Sequence, residues 1–349
     1  MKYIYDIRLI FDFVFSLGAR LWELTGLPLW LYSQIKIVVI GSILLGVISL
    51  AVMFLIWLER RLSAHFQSRI GPNRVGWQGS LQAVADIVKL LAKENITPAN
   101  ADVVVYLLAP MVVFAAAFMA YIALPVAPRL VVNNFSLGIL YILSISSLGV
   151  IGILMAGWSS NNKYSLIGGM RSAAQMISYE IPLVLAVLSV IMMAGSLNLS
   201  EIVASQKNFF DWHIFRQPLA FLIYFVAATA EINRLPFDIP EAESELTAGF
   251  HTEYSGIRFG IFFLAEFANM MIVASIVTSL FLGGWHGFGF LPPIAWFLIK
   301  DAFTIFTLIW FRWTFPRFRM DQLMNLGWKI LTPLALLNIF VTGIRMFIK

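Results

Sequence analysis

Apolar runs of membrane-spanning length recur along this chain. A helix needs ~20 residues to cross ~30 Å of hydrocarbon. About eight segments approach or exceed that length: 35–58, 103–124, 137–158, 181–197, 219–230, 257–282, 293–313 and 328–347. Backbone inside lipid must satisfy its own hydrogen bonds, so unbroken apolar runs of this size predict helices. The expected fold is all-α, a polytopic membrane protein of about eight transmembrane helices. The fifth run is short, and the reading extends that helix to include Glu231 and Asn233. Composition agrees: 60% of the residues are hydrophobic and 12% charged, about half the charged share of a soluble domain. No linker divides the chain, so residues 1–349 read as one membrane domain.

Two segments break the apolar pattern with helical periodicity. Arg8, Asp12, Ser16 and Arg20 recur every four residues near the N-terminus, as in an amphipathic helix lying in the membrane interface. Charges at Asp6, Arg8 and Asp12 argue against a signal peptide. A second amphipathic helix is expected over 81–93, with Leu81, Val84, Val88 and Leu91 on one face. Lys and Arg favour the loops after the first, third, fifth and seventh helices, among them Arg60, Arg61, Arg69, Arg74, Lys163, Arg171, Arg234, Arg317 and Arg319. That bias places these loops on the cytoplasmic side, or its organellar equivalent.

Several chemistries are excluded. The chain has no cysteine, so no iron–sulfur cluster of its own, no thiolate metal site and no disulfide. His65, His213, His251 and His286 lie far apart and make no i, i+4 pair, so no metal or haem site is expected and no bound cofactor within the chain. No dinucleotide fingerprint, P-loop or HExxH motif occurs. The net charge of +5 suits loops beside anionic lipid. Nucleic acid is not an expected partner, because the basic residues are scattered rather than gathered on one face.

The chemistry that remains belongs to carboxylates. Glu231, Asp238, Glu241, Glu243 and Glu245 crowd the end of the fifth helix with Arg234 among them, and Glu253 follows. Carboxylates this close raise one another's pKa, and burial raises it further, so such a cluster can exchange protons near neutral pH. Pro236 and Pro240 fix the path of this loop. Glu59, Glu180, Glu266, Lys300 and Asp301 lie in or near spans. Charges at membrane depth are costly and mark functional positions by default. Glu180 and Glu266 are read as proton-path groups. Glu59, beside Arg60 and Arg61, is read equally as an interfacial ion pair, and Lys300 and Asp301 either neutralise one another or act separately.

At these residues the chain resembles the quinone-chamber membrane subunits of respiratory complex I, the proton-pumping NADH:quinone oxidoreductase. The resemblance rests on Glu59-Arg60-Arg61, on 67–76 and 81–86 in the first loop, and on 157–164 with Arg171 and Gln175 in the next. Further support comes from Ser178-Tyr179-Glu180, taken as the opening of the fourth helix, and from 231–238, 241–246, 253–254 and 316–323. It spans nearly the whole chain, departing in a longer N-terminal segment and at Asp301, where an uncharged residue is expected. The resemblance implies a chain that forms the access and lower part of a quinone chamber, with Glu59, Arg60, Arg69, Asp86, Arg234 and Phe237 around it. It assigns proton coupling to Glu180, Glu231, Asp238, Glu241, Glu243, Glu245, Glu253, Glu266 and Lys300. Quinone would be the substrate. The implied partners are hydrophilic-arm subunits carrying the terminal iron–sulfur cluster, small membrane subunits, antiporter-like subunits and membrane lipids. The implied location is an energy-transducing membrane, bacterial inner membrane rather than organellar. Two other readings compete. One is the equivalent subunit of a membrane-bound hydrogenase-type complex, and the other is a secondary transporter, which would carry an internal repeat with broken helices.

Overall fold

A computed structural model of the chain describes residues 29–128, 130–239 and 246–348. The amphipathic helix expected at the N-terminus lies outside the described residues, as do Glu241, Glu243 and Glu245. Helix α1 covers Leu29–Phe66, 38 residues in one piece. The amphipathic α2, Gln82–Ala92, follows in the first loop. Then come α3, Val103–Ala120, α4, Gly138–Ser159, and α5, Lys163–Ala194. The second half of the chain adds α6, Pro218–Glu231, α7, Gly256–Phe281, and α8, Pro293–Thr314. The short α9, Met320–Asn325, runs through a π turn into α10, Thr332–Ile348. Seven of these stretches are long and apolar enough to cross a membrane, and α6 is a shorter apolar helix. Among the described residues the only β pairing is an isolated bridge between Ala127 and Leu130. The all-α polytopic expectation is borne out.

The fourth helix differs from the sequence reading. It begins at Lys163, where Asn162 caps it by accepting from Tyr164 N at 2.9 Å. Lys163 and Arg171 are therefore helical, not loop, and Ser178-Tyr179-Glu180 sit mid-helix rather than opening it. Hydropathy alone misses this first half because Ser165, Gly168, Gly169 and Ser172 are small or polar, yet all four are buried. Small residues let membrane helices approach closely, in the absence of a hydrophobic force between them. A Cβ on Gly169 would stand 3.1 Å from Gly157 Cα of α4, and one on Gly168 only 2.6 Å from Gly249 Cα.

Helix α6 also departs from expectation. It stops at Glu231, and Asn233 lies beyond it in the left-handed region at φ 51°, a conformation Asn tolerates. Fourteen residues rise only ~21 Å, so the chain continues at depth without helical hydrogen bonds. Such backbone is tolerated only where protein buries and satisfies it. Ile232, Asn233, Arg234, Phe237 and Ile239 are all buried. Buried Gln175 of α5 supplies the donor: its Nε2 lies 2.8 Å from Ala230 O, 2.7 Å from Phe237 O and 3.1 Å from Asn233 Oδ1. Asn233 Nδ2 in turn donates to Ser172 Oγ at 3.0 Å.

The spans alternate in direction. Arg312, near the end of α8, meets Glu59 near the end of α1; these ends form the basic face of the bundle. At the opposite face, Ile139 N donates to Leu197 O at 3.2 Å, tying the start of α4 to the end of α5. There too Gln217, just before α6, bonds Ser189 of α5 and Thr342 of α10.

Candidate functional site

Beneath the basic face, four charged side chains from four elements converge. Glu59 of α1 and Arg234 of the loop after α6 are both buried, with 7% and 5% of their surface exposed. Arg234 Nη1 donates to Glu59 Oε1 at 3.2 Å. Arg234 Nε lies 3.0 Å from Glu266 Oε1 of α7, an ion pair. The guanidinium also sits 4.5 Å from the centre of the Phe267 ring. Arg312 of α8 completes the group by donating to Glu59. Two carboxylates balance two guanidinium groups, which is the condition under which buried charges persist. Glu59 thus pairs across the fold and not with its neighbours Arg60 and Arg61. Arg312 is the participant that sequence reasoning missed. It lies 253 positions from Glu59, and no local pattern links the two.

A second set of carboxylates lies deeper in the bundle. Glu231 closes α6 within reach of the Ser146 hydroxyl and of the Glu180 charge, and Glu180 accepts from the Ser147 hydroxyl. The two sets meet at a cavity of about 40 Å³ that Glu231, Asn233, His251, Glu266 and Asn269 line together with apolar side chains. One water needs ~10–15 Å³ of such space and two to four polar partners. The cavity is large enough for water by this measure, and Glu266 of the first set and Glu231 of the second line it together.

The loop after α6 is anchored from the other side by 316–319. Phe237 stacks on Phe318 with ring centres 5.5 Å apart, and Phe318 N donates to Pro236 O at 3.2 Å. Asp238 lies 3.7 Å from Arg317. Phe237 also tilts against Tyr179 of α5.

Other expected site residues lie apart from this group. Arg60 Nη1 donates to Asp86 Oδ2 at 2.5 Å, holding α2 against the end of α1. Partial burial pushes the Asp86 carboxyl up, but hydrogen bonds from Arg60 and Gln82 outweigh it and leave Asp86 below its ordinary value. Arg69 bonds Gln67 Oε1 at 2.5 Å in the exposed loop. Glu253 accepts from Asn162 Nδ2 at 2.5 Å, beside the start of α5.

Lys300 stands at the opposite face. Its Nζ donates to the carbonyls of Leu282, Gly284 and His286 at 2.6, 2.9 and 2.5 Å and lies 4.1 Å from the centre of the Trp212 ring. It does not neutralise Asp301, whose carboxyl accepts from Ser275 Oγ at 3.1 Å. Consecutive positions on a helix point some 100° apart, and each of these two side chains has its own partner.

The NADH dehydrogenase family model matches residues 39–343. The chain is 47% identical over 345 residues to the second H-type subunit of NADH-quinone oxidoreductase from Geobacter metallireducens, covering 93% of this chain and 98% of that protein. It is 50% identical to the H-type subunit of the same enzyme from Carboxydothermus hydrogenoformans over 335 residues, 93% of this chain and 95% of the relative. With the H-type subunit from Geobacillus sp. it shares 52% identity over 309 residues, 87% and 92% of the two chains. These matches agree with the all-α membrane architecture and the long motifs of the basic loops, and the chain belongs to the NADH dehydrogenase family as a membrane subunit of NADH-quinone oxidoreductase, respiratory complex I.

Proposed function

We propose that this subunit forms the access and lower part of the quinone chamber and couples quinone reduction to proton movement. The observation behind this reading is a set of buried and half-buried ionisable groups running inward from the basic face. Glu59, Arg234 and Glu266 connect to Glu231 through the cavity that Glu266 lines, and Glu231 to Glu180. Carboxylates in a low-dielectric site cannot all be ionised cheaply. A change of charge at one end therefore favours proton uptake or release along the set. Glu241, Glu243 and Glu245, which follow Asp238 in sequence, would take part in the same coupling, as would Glu253. Lys300, held by three carbonyls beyond the far end of α7, would be the proton-coupling group nearest the opposite face.

The chamber itself would lie between the end of α1 and α2. Leu81, Val84, Val88 and Leu91 expose apolar surface there, suited to an isoprenoid tail, while Arg60 at the end of α1, Asp86 of α2 and Arg69 between them are its polar groups, and Phe237 would add an aromatic face. Hydrophilic-arm subunits would supply the terminal iron–sulfur cluster, and small and antiporter-like membrane subunits would receive the coupling. The bacterial relatives favour the bacterial inner membrane as the setting.

The test is Glu231→Gln in the assembled complex, with Glu243→Gln beside it. Glutamine keeps the size and loses the titration. Oxidation of NADH by a hydrophilic acceptor should persist, while quinone-linked turnover and proton pumping fall together by about tenfold or more. Full assembly with normal pumping would show that the carboxylates are only structural.

A further inference from the structure

A second ionisable site lies in this chain, apart from the carboxylates of the basic face. Asp301 is eight positions into α8, ~12 Å of helix rise from the opposite face, and it is 6% exposed. Its carboxyl accepts from the neutral hydroxyl of Ser275 and lies close enough to the Tyr121 phenol to act on it electrostatically. Tyr121 OH is itself committed to Ala268 O at 2.7 Å. The charged groups of the packed elements are elsewhere. Lys300 of the same helix is turned into the 282–286 carbonyls. Glu266 and Arg258 of α7 are nearer the basic face, with Glu266 nine positions from Ser275. Lys36 belongs to the part of α1 that contributes no buried residue. An ionised carboxylate in such a place, with one neutral donor, carries a desolvation cost that protonation removes.

A polar stripe leads from Asp301 toward the opposite face. Ser275, Thr278 and Ser279 fall on one side of α7 by their i, i+3, i+4 spacing. All three are buried, and the hydroxyls of Thr278 and Ser279 have no hydrogen-bond partner among the described residues. Buried hydroxyls without partners are uncommon and call for a reason. One turn further on, buried Gln206 donates to Ser279 O at 2.9 Å and accepts from His213 N at 3.2 Å and Gly283 N at 3.1 Å. That brings the stripe to the loops of the opposite face.

We infer that Asp301 is a proton-binding site in the half of the membrane away from the basic face, holding its proton beside Ser275 and exchanging it with the opposite face along Thr278 and Ser279. The site is independent of the quinone-coupled carboxylates proposed above. It binds and releases a proton and makes or breaks no other bond.

Infrared spectroscopy of the assembled complex in membranes tests it. The wild-type spectrum should contain the carbonyl stretch of a protonated carboxylic acid that Asp301→Asn lacks, and that band should shift on transfer to D2O. Ser275→Ala, which removes the hydrogen bond and keeps the carboxyl, should move the same band. Thr278→Val with Ser279→Ala should slow the D2O shift without abolishing the band. If Asp301→Asn fails to assemble, the Ser275→Ala shift decides, and its absence overturns the inference. A wild-type complex without the band, or a band that ignores D2O through prolonged turnover, also overturns it. Glu231→Gln should leave the Asp301 band in place, so failure of the quinone-coupling reading and failure of this one are separate results.

Discussion

Arg234 divides its guanidinium between Glu59 and Glu266 and lies over Phe267. Removing one partner from a buried pair costs about 3–5 kcal/mol, because the other charge is stranded. Arg234→Met should therefore lower the melting temperature of the complex or its abundance in membranes. Arg234→Lys should be only a partial remedy, since an ammonium cannot present the planar fork. Arg234→Met combined with Glu266→Gln should recover part of the loss, and a double-mutant cycle measures how much. The Arg60–Asp86 pair is different, with Arg60 41% and Asp86 27% exposed, and pairs of that kind are worth ~1 kcal/mol or less. Asp86 is held below its ordinary value of 3.8. A depressed carboxyl contributes stability that is present above its unfolded pKa and lost only as pH falls through the folded one. Across the neutral range this pair is constant. A neutral-range pH profile of quinone reduction should therefore keep the same midpoint in Asp86→Asn, and a displaced midpoint would show that Asp86 titrates there.

At the scale of elements, the loop after α6 shows what hydropathy can and cannot reveal. The apolar length of each span is legible in the sequence, and so is the period of α2, because both are local properties. The first half of α5 is not. Its small and polar residues face other helices, and only the contacts of Gly157 with Gly169 and of Gly168 with Gly249 make sense of them. Gln175 stands in a recognisable motif, yet its task becomes visible only because α6 is too short to bond its own continuation. Replacing it with Leu would strand the carbonyls of Ala230 and Phe237, at ~1–3 kcal/mol for each buried group left unmet. Gln175→Leu should lower thermal stability and slow quinone-linked turnover, with oxidation of NADH by a hydrophilic acceptor preserved in whatever fraction assembles.

At the scale of the whole molecule, the carboxylates are legible one by one and their grouping is not. Glu59, Arg234 and Glu266 stand on three elements, and the fourth partner, Arg312, reads in the sequence as one basic residue among several. The charge pairs join positions as distant as 175 and 253 residues apart, beyond the reach of any periodicity. The absence of cysteine, by contrast, bears on the whole chain at once. The purified single chain should show no visible absorption band and no paramagnetic resonance signal of its own. A redox signal that stays with the chain through purification would contradict this.

Helix α1 is fastened unevenly. Its buried residues, Ile48, Val52, Leu55, Glu59, Ser63 and Ala64, all fall in its second half, and none occurs between 30 and 47. Substitutions at Val52 or Leu55 open a gap in this chain's own packing. Changes at Ile37, Val38 or Val47, each more than half exposed, leave that packing untouched. The two halves of one helix thus answer to different judges: the second to the packing of the described residues, the first to whatever lies outside that packing.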